Sequence, residues 1–126
     1  FNENISTVSF RYGTHAMEQL IASIQKKGGL RKNLEAKVFG GGNVIKSKSK
    51  QILIGRKNVE FARAFLDLER IPVLSYNTGK KFGREIIFNT DNNKVFVRKI
   101  RSISETTDIE ETEVVTKTTD NNITLF

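Results

Sequence analysis

Cysteine and tryptophan are absent from the 126 residues, and proline, methionine and histidine occur once each. Without cysteine there can be no disulfide framework, no thiolate metal site and no cysteine nucleophile within this sequence. With His15 as the single histidine, a zinc or iron site built by the protein lacks the ligands it needs, and no cofactor is expected. Long apolar runs are missing too. Ile52-Leu53-Ile54 and Ile71-Pro72-Val73-Leu74 are typical of the longest, far short of the roughly 20 residues that a membrane-spanning helix requires. No basic, apolar and small-residue succession marks a secretory signal at the start, so a cytoplasmic protein is expected. The sequence opens on Phe1 rather than methionine, from which further coding sequence upstream is expected.

What the chain does have is positive charge, unevenly placed. Lys and Arg number 21 against 14 Asp and Glu, a formal net charge of +7. Of these, 20 basic and 8 acidic residues fall in 1–103, while 104–126 carry one lysine and 6 acids. The long-range field of so basic a body concentrates acidic partners around it, without saying which. Length and the charge boundary predict one domain over 1–103, followed by an acidic, partly disordered extension over 104–126 with at most one weak strand.

Hydrophobic spacing predicts the elements. Ala16, Met17, Leu20, Ile21 and Ile24 recur at helical intervals over 12–28, and Gly28-Gly29 supplies the stop. His15 falls on the polar side of that helix, where a solvated histidine is expected. Residues 34–40 read as a buried strand, and Lys46-Ser47-Lys48-Ser49-Lys50 as a polar loop. A second helix over 55–70 is written by Val59, Ala62, Phe65 and Leu66, with Phe61, Ala64 and Leu68 widening its apolar face. Strands are expected over 71–76, 85–89 and 94–100, the last two joined as an antiparallel hairpin through Asp91-Asn92-Asn93. The order helix, strand, helix, strand, strand, strand predicts an α/β fold with helices packed on a mixed sheet.

One segment invites a functional reading. Leu34-Glu35-Ala36-Lys37-Val38-Phe39 runs directly into Gly40, Gly41, Gly42 and Asn43. Consecutive glycines let backbone N–H and C=O groups come within reach of a ligand that any side chain would hold off, although a plain turn is the simpler reading. The spacing is neither a dinucleotide fingerprint nor a phosphate-binding loop. Ser6, Thr7 and Ser9 offer hydroxyls but no adjacent base. The basic body and the phenylalanines 39, 61, 65, 82, 88 and 96 raise a nucleic-acid-binding module, yet most of these rings fall in the apolar faces just described and no recognition motif accompanies them.

Taken in order, Arg11-Tyr12-Gly13 with Ala16-Met17, then 34–43, then Ile54-Gly55 with Asn58-Val59, then Ile71-Pro72-Val73 resemble the chemoreceptor glutamine deamidase family, the CheD proteins of bacterial chemotaxis. Arg84-Glu85-Ile86-Ile87-Phe88 and Lys94-Val95-Phe96-Val97-Arg98-Lys99 are similar to its closing hairpin. The likeness spans 11–101. It departs from the family at Asn77-Thr78-Gly79-Lys80, where an acidic residue and paired glycines are usual, and it lacks the family's catalytic cysteine and histidine, which lie upstream of the Arg-Tyr-Gly motif.

The resemblance implies an α/β/α sandwich and a cytoplasmic hydrolase that converts receptor glutamine side chains to glutamate with release of ammonia, by cysteine and histidine acyl transfer without a metal. It implies two partners: the cytoplasmic helices of methyl-accepting chemoreceptors and a phosphatase of the CheC type. This polypeptide by itself would then be inactive. Gly40, Gly41, Gly42 and Asn43 are the expected substrate-binding wall, where backbone N–H groups could face developing negative charge. A non-catalytic module that only docks in the chemotaxis pathway is the alternative.

Overall fold

The computed structural model describes residues 5–43, 52–100 and 123–126. The lysine and serine loop at 46–50, the boundary at 103 and most of the acidic extension therefore lie outside the described residues. The described elements make an α/β fold that divides into two compact units, the first from residues 1–38 and 57–76, the second from 39–56 and 77–126.

In the first unit, helix α1 (Ile5–Lys26) begins earlier than its apolar stripe predicts. Residues 5–11 are rich in serine and β-branched side chains, which are poor helix formers, but Phe10 meets the Phe61 ring edge-on at 5.4 Å and gives the added turns a packing partner. Strand β1 (Ala36–Gly40), helix α2 (Ile52–Leu68) and strand β2 (Val73–Thr78) follow, each with most of its residues in this unit and its remainder in the second. The two strands pair in parallel, so α2 is the crossover that a parallel pair requires. Pro72, which has no N–H, precedes β2 and contributes its carbonyl to the Ala36 N–H at 2.9 Å.

The core of this unit is Ile21, Phe65, Leu66 and Ile71, with Met17, Leu34, Ala36, Val38, Phe61 and Val73 packed around them. The apolar face expected of α2 is narrower than its composition suggests. Leu68, assigned to that face, is the last residue of the helix and is 82% exposed. Both helices end in the same hydrogen-bonding pattern. After α1 the Gly29 N–H reaches the Ile24 carbonyl at 2.9 Å, with Gly28 at φ 96°; after α2 the Ile71 N–H reaches the Leu66 carbonyl at 2.9 Å, with Arg70 at φ 56°. In the second case an arginine occupies the left-handed position that glycine usually fills, and the apolar contact of Leu66 with Ile71 holds it there.

In the second unit, β3 (Gly83–Asn89) and β4 (Lys94–Ile100) form the expected hairpin, and β5 (Ile123–Leu125) pairs with β4. Asn89 Oδ1 accepts from the Asp91 N–H at 2.9 Å and Asn92 Oδ1 from the Lys94 N–H at 3.0 Å, while Asn93 takes φ 59°. That turn fixes a register in which Arg84 faces Lys99, Glu85 faces Arg98, Ile86 faces Val97 and Phe88 faces Val95. Val95 and Val97 are buried, and Phe126 beyond β5 meets the Phe39 ring at 5.2 Å. The opposite face carries the Glu85 and Arg98 ion pair with Ile87, Phe96 and Leu125 exposed around it. Phe96 on this face is 41% exposed and Phe88, on the face of Val95, is 56% exposed, so neither belongs to the buried apolar surface in which most of the phenylalanines are expected.

Two substitutions test this packing in the 126-residue chain. Leu66→Ala removes both a core side chain and the contact that closes α2, and should lower the unfolding free energy by about 2 to 4 kcal/mol in a urea titration. Arg70→Gly relieves the left-handed arginine and should raise it by up to about 1 kcal/mol; a loss of stability there would contradict the helix ending described above.

Candidate functional site

The four residues singled out in the sequence sit where β1 stops. Gly40 has φ 118° and Gly41 φ 69°, conformations that side chains resist, so the strand can turn sharply only with glycine here. The carboxyl ends of the parallel pair are tied at this point, the Gly79 N–H donating to the Gly40 carbonyl at 2.8 Å and the Asn43 N–H to the Lys80 carbonyl at 2.8 Å. Turns at the carboxyl ends of parallel strands are the usual place for a ligand in open α/β sheets.

Close approach, rather than dihedral freedom, explains Gly42. A Cβ on this residue would collide with the Phe82 carbonyl and lie 3.3 Å from that of Gly79. At Gly55, in the first turns of α2, a Cβ would stand 2.5 Å from the Gly41 carbonyl. The turn is therefore clamped between the loop after β2 and the amino end of α2 by backbone contact alone. Among the described residues the Gly41 and Gly42 N–H groups have no hydrogen-bond partner.

Sequence reasoning missed Arg84 as part of this site. Its Nε donates to Asn77 Oδ1 at 2.6 Å and its Nη1 to the Gly40 carbonyl at 3.4 Å, so that carbonyl accepts from two directions. The guanidinium carbon lies 4.6 Å from the centre of the Phe82 ring, and Lys99 Nζ lies 4.9 Å from the same centre. Burial pushes the Arg84 pKa below its ordinary value, yet guanidinium remains charged at neutral pH. Asn77, in the segment 77–80, is the side chain that orients this arginine. The signal was present in the sequence: once the Asp91-Asn92-Asn93 turn is placed, counting back along both strands sets Arg84 against Lys99.

The remaining candidates lie elsewhere. His15 is exposed on α1, and Ser6, Thr7 and Ser9 fall in the first turns of the same helix. No group of three His, Cys, Asp or Glu side chains among the described residues could hold a metal ion. No described helix is long and apolar enough to cross a membrane.

Residues 2–99 match the family described as CheD chemotactic sensory transduction. The chain is 37% identical over 110 residues to the probable chemoreceptor glutamine deamidase CheD of Hahella chejuensis, which covers 87% of this chain and 51% of that protein. It is 43% identical over 101 residues to the protein of the same name from a Janthinobacterium species, covering 80% and 49%. It is also 43% identical over 104 residues to the probable chemoreceptor glutamine deamidase CheD 1 of Shewanella oneidensis, covering 82% and 50%. The chain thus spans about half the length of these relatives. With the family matched across most of its residues, this chain belongs to the CheD family of chemotactic sensory transduction.

Proposed function

We propose that this chain is the carboxyl-terminal part of a chemoreceptor glutamine deamidase, supplying the scaffold and one wall of the substrate site. The relatives carry that activity in their names and are about twice as long as the aligned stretch. The nucleophilic cysteine and the histidine would come from the family's segment upstream of Arg11-Tyr12-Gly13, since this sequence holds no cysteine. In the joined site the thiolate attacks the glutamine amide carbon. The imidazole protonates the departing ammonia, and water then cleaves the thioester to leave glutamate.

The observation that carries this reading is the pair of unpartnered N–H groups at Gly41 and Gly42, among the described residues, on a turn held rigid by Gly79, Lys80 and Arg84. Such a pair suits the oxyanion that forms when an amide carbon becomes tetrahedral, because its donors are fixed before the charge appears. The substrate would be the cytoplasmic helices of methyl-accepting chemoreceptors, in the cytoplasm, with a phosphatase of the CheC type as regulatory partner. A basic body would draw acidic receptor helices, and salt should weaken that attraction. The absence of cysteine also supports a second reading, a docking module without catalysis.

Ammonia release from a purified receptor cytoplasmic fragment separates the two. The 126-residue chain should give none above a boiled control, whereas the polypeptide extended upstream through the family's cysteine and histidine motifs should turn over. Turnover by the chain alone would sink the assignment of the nucleophile; a reading frame that starts close to Phe1 would favour the docking module. In the extended polypeptide Gly42→Ala displaces the turn without touching the nucleophile, and kcat should fall by about tenfold or more with KM changing far less.

A further inference from the structure

The hairpin treats its two charged rungs differently. At Glu85 and Arg98 opposite charges face each other and form an ion pair. One rung away, on the other face of the sheet, Arg84 and Lys99 are directly opposed with the same sign. Like charges across a strand pair cost a few tenths of a kcal/mol up to about 1 kcal/mol. Here no carboxylate among the described residues forms an ion pair with either cation. The Phe82 ring lies against both and offsets part of the repulsion through its quadrupole. Lys80 and Lys81 add two exposed cations on the loop that leads into this ring.

Arg84 is also under-used as a donor. Guanidinium carries five N–H groups, and the described contacts are one to Asn77 and one to Gly40. The unused edge belongs to a side chain held in place by a hydrogen-bonded amide, a backbone carbonyl and an aromatic face, and its Nη1 comes within 3.4 Å of where a Cβ would stand on Gly42. A fixed, partly desolvated fork with spare donors matches the geometry of a carboxylate.

We infer that Arg84, Phe82 and Lys99 form a carboxylate-reading subsite beside the Gly40 to Asn43 turn, and that its occupant is an acidic side chain of the polypeptide presented to that turn. The inference deepens the reading of the turn as a substrate wall and rests on it for the identity of the partner. It adds a specificity rule: an amide flanked by a Glu or Asp within reach of the subsite is preferred to one flanked by neutral residues. A carboxylate seated between the two cations neutralises the like-charge rung and fills the free edge of the guanidinium. A nucleic acid would meet the same charges, but the described phenylalanines nearest the turn are already engaged, Phe82 by Arg84 and Lys99 and Phe39 by Phe126.

The test is binding of the 126-residue chain to a fluorescein-labelled helical peptide of about 20 residues built from Glu-Ala-Ala-Gln-Ala repeats, followed by anisotropy at low salt. Lys99→Gln is compared with Lys32→Gln, which removes the same charge from an exposed position in the first unit and so leaves the net charge of the two variants equal. Lys99→Gln should weaken binding about threefold to fivefold and Lys32→Gln by less than about half that, as for exposed charge pairs. Lys99→Glu, which reverses the charge, should weaken it further, with each variant's thermal midpoint confirming that it folds. Equal loss from Lys99→Gln and Lys32→Gln would mean that only the general field attracts the peptide, and would overturn the subsite. An oligothymidylate of equal charge that binds more tightly, with the same dependence on Lys99, would overturn it in favour of nucleic acid. Peptide binding through Lys99 alongside an inactive extended polypeptide would remove the deamidase reading and leave the subsite standing.

Discussion

The hydrogen bond from the Gly79 N–H to the Gly40 carbonyl is the joint on which the rest of the site turns. It joins the last residue of β1 to the residue that follows β2, so the two parallel strands end level and their following loops leave side by side. The same carbonyl takes a second donor from Arg84, which draws the hairpin's first rung against the turn. A carbonyl has two lone pairs, and using both fixes the peptide plane as well as its distance. Beside that peptide stand the Gly41 and Gly42 turn, the close approach of Gly42 to the Phe82 carbonyl, and Asn77 against the guanidinium.

Much of this was legible in the sequence, because it was written in local chemistry. The Gly28 stop of α1, the Asp91-Asn92-Asn93 turn and the tolerance of Pro72 before β2 each depend on residues within a few positions of one another. Other features depended on partners distant in sequence. Residues 5–11 join α1 because Phe10 finds Phe61, and α2 ends at an arginine because Leu66 and Ile71 are both buried. Neither can be read from propensity. The glycine run announced a close approach but not to what, since the Phe82 carbonyl and α2 are brought to it only by the fold. The α/β class was legible; among the described residues its parallel pair and its three antiparallel strands are hydrogen-bonded as two sheets, a division that the order of elements does not reveal.

The chain belongs to the CheD family and spans about half the length of its relatives. The residues here supply backbone donors, a fixed cation and a shaped turn, and contain no thiol. Electrostatic preorganisation and nucleophilic attack are in general separable contributions to catalysis. A neutral amide oxygen of Asn77 orients Arg84, which leaves the cation's charge available, whereas a carboxylate at that position would neutralise it.

The β3 and β4 hairpin closes through four residues between Asn89 and Lys94, while β1 and β2 meet only after the whole of α2 has been crossed. Loops this different in length assemble on different clocks, the short one within microseconds and the long one only after a larger loss of chain entropy. The rung of Arg84 and Lys99 therefore has the shorter loop to close and the glycine turn the longer one. During biosynthesis emergence runs the other way: β1, α2 and β2 precede β3 and β4 in the chain and leave the ribosome first, at roughly 5 to 20 residues per second, so the strand that ends at Gly40 is made before the arginine that caps its carbonyl.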